Sequence, residues 1–445
     1  MTDVPTIDVS RALAGGTPSE VAEALRTLDA PVIRRELGRL SPQRRAVVFR
    51  LLDKDTALDV FEDLDAETAR ELLDGLREER VRQLVDDLDP DDRARLLDEL
   101  PAAMVVRLLS GLTPDERTMT ETVLGYPRES AGRRMTPEVA TVPVGATAGD
   151  ALGRLRRVGS RVESMHAVPV LAAGRRLVGL LPLWDLVTAD PETPVADLAD
   201  GPVSANVHED QEVAARRLRD HGLVGLPVVD DEDRLVGVLD VDDAMRILHE
   251  ENVEDVHRSS GLQVVPRPYL TRSIQQVVRS RVVWLLVLIA AATLTVNVLD
   301  HFEETLSQVV ALALFVPLLI GTGGNAGAQT VTTVVRALSD GEITARDAPR
   351  VAGRELLTGL SLGLVLAAVG FGPAWLLVGR EIAFVLVVSL VAVCSLATTV
   401  GAVIPLLASK VGVDPAVVSA PFITTIVDAT GLVIYFLVAQ AVLGL

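Results

Sequence analysis

Five long apolar runs crowd the last third of this chain, and they restrict its fold more than any other feature. They cover residues 282–299, 306–335, 356–378, 382–409 and 416–445. Each is long enough to cross a hydrocarbon layer of roughly 30 Å as a helix. Five such stretches are too many for the buried helices of a soluble core, so the C-terminal third reads as a membrane domain. Arg272, Arg279 and Arg281 precede the first run. Arg336, Arg346, Arg350 and Arg354 lie between the second and third, and Lys410 lies between the fourth and fifth. The remaining two connections carry mainly acid: Asp300, Glu303 and Glu304 in one, Arg380 beside Glu381 in the other. By the positive-inside rule the N-terminus faces the cytoplasm and the C-terminus lies outside.

The charge is distributed unevenly. The 445 residues carry a formal net charge of −19, but from residue 281 onward there are only ten acidic residues against seven basic ones. Nearly all the excess belongs to the soluble portion, which is therefore expected to attract cations and not nucleic acid. With 49% hydrophobic residues the chain is too apolar to be disordered. The single cysteine, Cys394, excludes an intrachain disulfide and argues against a cysteine-based zinc site. No basic stretch followed by an apolar core opens the chain, so the soluble portion is expected to stay in the cytoplasm.

That soluble portion contains two repeats. Leucine stands at 28, 40, 52, 64, 76, 88, 100, 112 and 124, a strict period of twelve. Ser41–Pro42, Asp89–Pro90 and Thr113–Pro114 follow three of these leucines, pairing a helix-capping side chain with a proline suited to the first helical position. Each unit reads as a short helix plus a turn, and stacking buries the leucines, giving an all-α helical-repeat domain over 18–133 after an N-terminal segment 1–17. Beyond it, β-branched runs alternate with helical ones, and residues 166–170 and 177–181 recur as 224–228 and 235–239, at an offset of 58. Val168-Pro169-Val170 with Leu177-Val178-Gly179, repeated as Leu226-Pro227-Val228 with Leu235-Val236-Gly237, resembles a tandem pair of cystathionine-β-synthase (CBS) domains over 134–250. That resemblance implies an α/β regulatory pair which in other proteins often binds adenosyl nucleotides or cations, making ATP or a related nucleotide a candidate ligand, with Asp185 placed by position as a ribose ligand. Residues 251–280 read as a connecting segment. Within 269–281, Leu270, Ile274 and Val277 share one helical face while Arg272, Gln276 and Arg279 share the other, as in a helix on the inner membrane surface. The five-helix membrane domain occupies 281–445.

Two membrane motifs hold unusual chemistry. Between Pro317 and Gln329 lie Gly321, Gly323, Gly324, Asn325 and Gly327. Polar side chains in mid-span are costly unless they face protein or water, so Asn325 and Gln329 are candidates for a polar lining, while the glycines alone could be a helix-packing seam. In the last run, Asp428 is the only charge between 416 and 445. It lies about 18 Å into the run at 1.5 Å per residue. An ionised carboxylate there costs on the order of 3 kcal/mol unless hydrated or paired. Thr424 and Thr425, one turn earlier, add hydroxyls to the same side.

The order of helical repeats, CBS pair, connecting helix and five spans is similar to the MgtE family of magnesium channels. The resemblance rests on Pro317 with the glycine-rich Gly323–Gln329 motif and on the late Pro421, Thr425, Asp428 pattern. It implies a homodimer in the cell membrane with a pore on the twofold axis, Asp428 helping to form its ion site, and Mg²⁺ as both cargo and cytoplasmic signal. It also implies that Asp243, Glu251, Glu254 and Asp255, with Asp87 and Asp91 from the repeat domain, sense Mg²⁺ and close the pore. Mg²⁺ sheds water reluctantly and prefers one or two carboxylates plus retained waters, which suits a pair of symmetry-related Asp428 side chains. Gly222 and Arg246 stand where the family often has acids, so fewer or weaker sensor ions are expected, and Ala420 and Ala328 stand where polar residues are common at the pore, so its selectivity is expected to differ. A carrier using Asp428 as a coupling carboxylate is the alternative transport reading. No phosphate-binding loop of the Gly-x-x-x-x-Gly-Lys-Ser/Thr type is present, so neither enzymatic turnover nor ATP-driven pumping is expected.

Overall fold

The twelve-residue period of the leucines becomes a twelve-residue period of helices. The computed structural model describes residues 17–445 apart from 63, 65, 77, 99, 159–165, 261–273 and 416–419. Nine helices open the described part: α1 (Pro18–Leu25), α2 (Ala30–Leu37), α3 (Pro42–Phe49), α4 (Lys54–Glu62), α5 (Ala66–Gly75), α6 (Glu78–Asp87), α7 (Pro90–Asp98), α8 (Ala102–Gly111) and α9 (Pro114–Leu124). Their first residues are spaced twelve apart. Each repeat leucine but Leu124, the last residue of α9, falls just after a helix, and those at 52, 64, 88, 100 and 112 are buried in one continuous core with Phe49, Phe61, Leu72 and Leu97. Thr17 and Thr113 cap α1 and α9 in full capping boxes with Glu20 and Glu116, as the Thr-Pro spacing suggests. Ser41 occupies the same position before α3 without a side-chain bond.

Three arginines stitch the repeats together. Arg45, Arg93 and Arg117 are each the fourth residue of their helix and reach back to the end of the preceding one. The Arg93 guanidinium donates to the carbonyls of Val85 at 2.7 Å, Asp86 at 3.1 Å and Leu88 at 2.6 Å, and to Thr120 Oγ1 at 3.0 Å. Arg45 does the same for Leu37 and Leu40, and Arg117 for Leu109, Ser110 and Leu112. Helix C-termini leave carbonyls without intrahelical partners, and these guanidinia supply them.

The CBS pair consists of two three-stranded sheets. The first contains β1 (Val142–Pro143), β2 (Ala167–Leu171) and β3 (Leu177–Pro182), with helices α10 (Ala148–Val158), α11 (Leu183–Thr188) and α12 (Val195–Leu198). The second contains β4 (Ala205–Asn206), β5 (Gly225–Val229) and β6 (Leu235–Asp240), with α13 (Gln211–Asp220) and α14 (Val241–Ser259). In both, the first strand runs parallel to the second and the second antiparallel to the third, and the bulges after Val170 and Val228 keep the offset of 58. The Leu-Val-Gly repeat now has a physical cause. Leu180 exchanges two backbone bonds with Asp200, and Val238 exchanges two with Thr136. The crossing chains pass so close that a Cβ on Gly237 would lie 2.6 Å from the Thr136 carbonyl, and one on Gly179 would collide with that of Asp200. The chain entering the first lobe is thus held on the second: Ala131 and Met135 are buried in the second lobe's core.

The chain divides into two compact units after Glu251, inside α14. Five described helices are long and apolar enough to cross a membrane: α15 (Ile274–His301), α17 (Val316–Ser339), α18 (Ala348–Val378), α19 (Arg380–Lys410) and α20 (Ala420–Leu443), with the short α16 (Glu303–Gln308) after the first. Of the expected connecting segment, two stretches fall among the described residues. Residues 251–259 end α14, and from Ile274 the amphipathic segment runs without a break into the first span; 261–273, like segment 1–16 and 416–419, lie outside the described residues. The second apolar run is not one helix either. A 3-10 segment, Val310–Phe315, precedes Pro317, and the Tyr435 hydroxyl donates to the Leu312 carbonyl at 2.9 Å. Non-helical backbone at membrane depth requires such a partner. Gly379, at φ 89°, makes the one-residue turn between α18 and α19.

Candidate cation sites

Position within α17 separates its glycines from its amides. Gly323, Gly324 and Gly327 are buried on one side, and a Cβ added to them would touch Val393 and Val427, Asp428 and Thr424, or Ile423 respectively. They form a close-packing seam with α19 and α20. Asn325 and Gln329, one turn apart, are exposed, as are Gly321, Thr332 and Thr333 on the same side. The motif is therefore both things its composition allowed, a seam on one face and a polar row on the other.

Asp428 is the ninth residue of α20 and half-buried. Gly324 leaves space for its carboxylate: a Cβ there would lie 3.4 Å from Oδ1. No described residue forms an ion pair or hydrogen bond with this carboxylate. The Thr424 and Thr425 hydroxyls both donate to the Pro421 carbonyl, at 2.8 and 2.9 Å, so their protons are committed and their oxygens can still accept or ligate. On the seam side, Thr330 donates to Glu355 Oε2 at 3.2 Å, and Thr398 to the Glu355 carbonyl at 2.7 Å. Glu355 lies seven residues inside α18 and before the apolar run visible in sequence, so hydropathy alone did not mark it.

In the soluble unit, carboxylate oxygens of Asp91, Asp92 and Asp243 lie within 4.8 Å of one another. Asp92 also belongs to a second such group with Glu62 and Asp89. The proline at the start of α7 sets the first arrangement, pointing the first-turn acids Asp91 and Asp92 at the first turn of α14. Asp91 and Asp243 are buried. Burial first, then the neighbouring Asp92 carboxylate, pushes the Asp91 carboxyl up to about 7, with Arg246 pulling the other way. Arg246 reaches the same cluster, 3.3 Å from Asp92 Oδ1 and in close contact with Asp243.

The other expected sensor residues are placed elsewhere. Asp87 pairs with Lys54 at 2.9 Å and belongs to neither cluster. Glu251 accepts from Gln211 Nε2 at 2.7 Å, Asp255 accepts from Ser339 Oγ at 3.2 Å, and Glu254 is paired with Arg258, which also pairs with Asp414. Asp185 is exposed on α11. Gly222 closes α13 with φ 63°, a backbone state glycine adopts without strain, which accounts for the missing acid there. Glu62, Asp89 and Asp92 are the acids the sequence reading left out of its sensor set. The acidic run after Leu88 held two of them, but only the fold brings Glu62 to them.

Residues 17–129 match the family model of the MgtE intracellular N domain, 131–192 and 185–250 match that of the CBS domain, and 316–438 match the MgtE model described as a divalent cation transporter. The magnesium transporter MgtE of Thermus thermophilus is 38% identical over 338 residues, 76% of this chain and 75% of the relative. That of Bacillus subtilis is 32% identical over 337 residues, 75% and 74% of the two chains. A crystal structure of the cytosolic domain of the Mg²⁺ channel MgtE in complex with ATP aligns with a TM-score of 0.51 at 33% identity, covering 54% of this chain and 99% of that one. With its soluble repeats, CBS pair and the membrane portion from residue 316 onward matched in this way, the chain belongs to the MgtE family of divalent cation transporters.

Proposed function

We propose that this protein is a homodimeric Mg²⁺ channel of the cell membrane, importing Mg²⁺ down its electrochemical gradient and closed by cytoplasmic Mg²⁺. The observation that carries this reading is the half-buried Asp428 carboxylate without a partner among the described residues, in a helix adjoining the exposed polar row of Asn325, Gln329, Thr332 and Thr333. Amides and a carboxylate facing lipid would cost several kcal/mol. A second copy against this face encloses them in a hydrated path instead. Two Asp428 side chains, with Thr424 and Thr425 oxygens nearby, suit an ion that keeps most of its water. Histidine and cysteine, the donors softer metals favour, are absent from this set.

The soluble acids serve as the sensor. Asp91 and Asp243 lie together where the helical repeats meet α14, and Glu251, Glu254 and Asp255 continue along the same helix; Asp87 is the weakest member because Lys54 holds it. Bound Mg²⁺ removes the repulsion among these acids, the soluble domains pack, and the pore shuts. The N-terminal domains lie in the cytoplasm and the C-terminus outside. ATP or another adenine nucleotide binds the CBS pair as a modulator, with Asp185 as a ribose contact; the ATP complex of the related cytosolic domain supports this.

Purified protein in liposomes tests the reading. Mg²⁺ flux should follow the gradient without counter-ion movement, and it should fall as Mg²⁺ on the cytoplasmic face is raised. Strict dependence on a proton gradient would favour a carrier in which Asp428 is the coupling carboxylate. Asp428→Ala should abolish flux or selectivity, and unchanged conduction in that variant defeats the pore assignment.

A further inference from the structure

Arg246 of α14 reaches into the Asp91–Asp92–Asp243 cluster with its guanidinium. It lies one turn after Asp243, contacts that carboxylate directly, and places Nη2 3.3 Å from Asp92 Oδ1. Two of the three carboxylates that could hold a divalent ion are thus already bound to a guanidinium. The third, Asp91, is buried and has no hydrogen-bond or ion-pair partner among other described residues, although its oxygen shares the 4.8 Å group. Asp92 belongs to the helical repeats and Asp243 to the second CBS lobe, so this one side chain joins two domains within the first compact unit. The device recurs within the second unit, where Arg258, twelve residues further along α14, pairs with Glu254 and with Asp414 in the loop after α19.

We propose that Arg246 is a tethered cation that takes the place of a divalent ion at the Asp91–Asp92–Asp243 cluster, holding the helical-repeat domain on the second CBS lobe when no metal is bound. An arginine stays charged at every physiological pH and can engage two carboxylates at once. Being covalently attached, it is present at a high effective concentration that dilution of Mg²⁺ does not lower. A divalent ion must therefore share or displace this guanidinium, which makes the contact less dependent on Mg²⁺ and weakens the ion's apparent affinity. The Mg²⁺ range of the gate is then set in part by an internal competitor. This inference rests on the sensor reading above.

Hydrogen exchange on the full-length protein in detergent tests it, following amides of α7 and of α14 up to Glu251 with EDTA and then with MgCl₂. The native protein should be protected in EDTA and change little with Mg²⁺. Arg246→Gln should lose about tenfold of that protection in EDTA, the size expected from removing one partly buried charge-assisted pair, and regain it with Mg²⁺. Arg246→Lys, which keeps the charge without the fork, should fall between the two and shows that the site tolerates substitution. Equal protection of Arg246→Gln and native protein in EDTA overturns the proposal, as does a native protein protected only when Mg²⁺ is added. Failure of the sensor reading has a different signature: liposome flux indifferent to cytoplasmic Mg²⁺ in both proteins, with the exchange difference intact.

Discussion

Replacing Arg93 by alanine should destabilise the cytosolic unit by about 3–5 kcal/mol, the range seen when one partner of a buried charged network is removed. The side chain is 2% exposed and serves three main-chain carbonyls and one hydroxyl. A buried carbonyl left without a donor costs about 1–3 kcal/mol. Three of them set the upper range, and water entering the vacated space lowers it. The burial cost of the guanidinium, which also pulls its own pKa down, is recovered in the variant and keeps the total from being larger. Denaturant unfolding of the cytosolic portion measures the loss directly, and a melting-temperature drop of about 10 °C is the parallel expectation. Arg93→Lys should recover less than half, because an ammonium is a point donor and cannot reach three carbonyls at once. Arg117→Ala, at a half-exposed position with one bond stretched to 3.4 Å, should lose distinctly less. A loss below about 1 kcal/mol for Arg93→Ala, or the reverse order for Arg117, refutes the idea that guanidinia terminate these helices. The consequence for function is direct, since Arg93 holds the helix that presents Asp91 and Asp92.

Gly237→Ala should cost several kcal/mol or prevent folding of the CBS pair, because its Cβ would stand 2.6 Å from the Thr136 carbonyl; a melting temperature equal to that of the native protein would show that the crossing chains yield easily. Asp91 gives a pH dependence. Its carboxyl is pushed up to about 7, so the folded unit retains a proton that the unfolded chain, titrating near 4, has already released. Between those limits the unfolded state binds fewer protons, so this group's contribution to stability is full below about pH 4 and lost as pH rises through 7. With EDTA present, Asp91→Asn should flatten the difference in unfolding midpoint between pH 5.5 and 8, and an unchanged slope would mean the carboxyl is not desolvated as described. In liposomes, Asn325→Leu should reduce Mg²⁺ flux at least tenfold if the exposed face of α17 lines the path; flux equal to the native protein's would move the path elsewhere.

What could be read in the sequence was whatever repeats over a short distance. Twelve-residue spacing fixed the starts of nine helices, because each unit buries its leucine against its immediate neighbours. The offset of 58 held down to the bulges after Val170 and Val228. The seam and polar row of α17 were both visible as possibilities, but only helical phase separates Gly324 from Asn325. Contacts between distant segments were not legible. Arg45, Arg93 and Arg117 each stand five residues after a repeat leucine, a signal present in the sequence, yet nothing local distinguishes a buried guanidinium from a solvated one. The bonds between Thr136 and Val238 join residues a hundred positions apart, so the second lobe's dependence on the chain before the first lobe was hidden. The break before Pro317 was visible as a proline, whereas its repair by Tyr435 was not.

The acid-sensing assignment illustrates why total charge is a poor guide to a site. Most of the −19 belongs to the soluble portion, but interactions between exposed charges fade beyond about 8 Å at physiological ionic strength. Monovalent salt therefore screens the bulk of that charge without help from any particular residue. What it does not screen is a group such as Asp91, Asp92 and Asp243, packed within 4.8 Å and largely shielded from solvent. There the repulsion is local, and it is relieved by a proton on Asp91, by the guanidinia of Arg246 and of Arg95, the latter 2.8 Å from Asp92 Oδ1, or by a small cation of high charge. The first two are built into the chain and set how much repulsion remains for the third to remove. On the proposed sensor reading, a divalent ion at this place responds against the protein's own counter-charges, and Arg246 would then bear on the set point of the gate alongside the carboxylates.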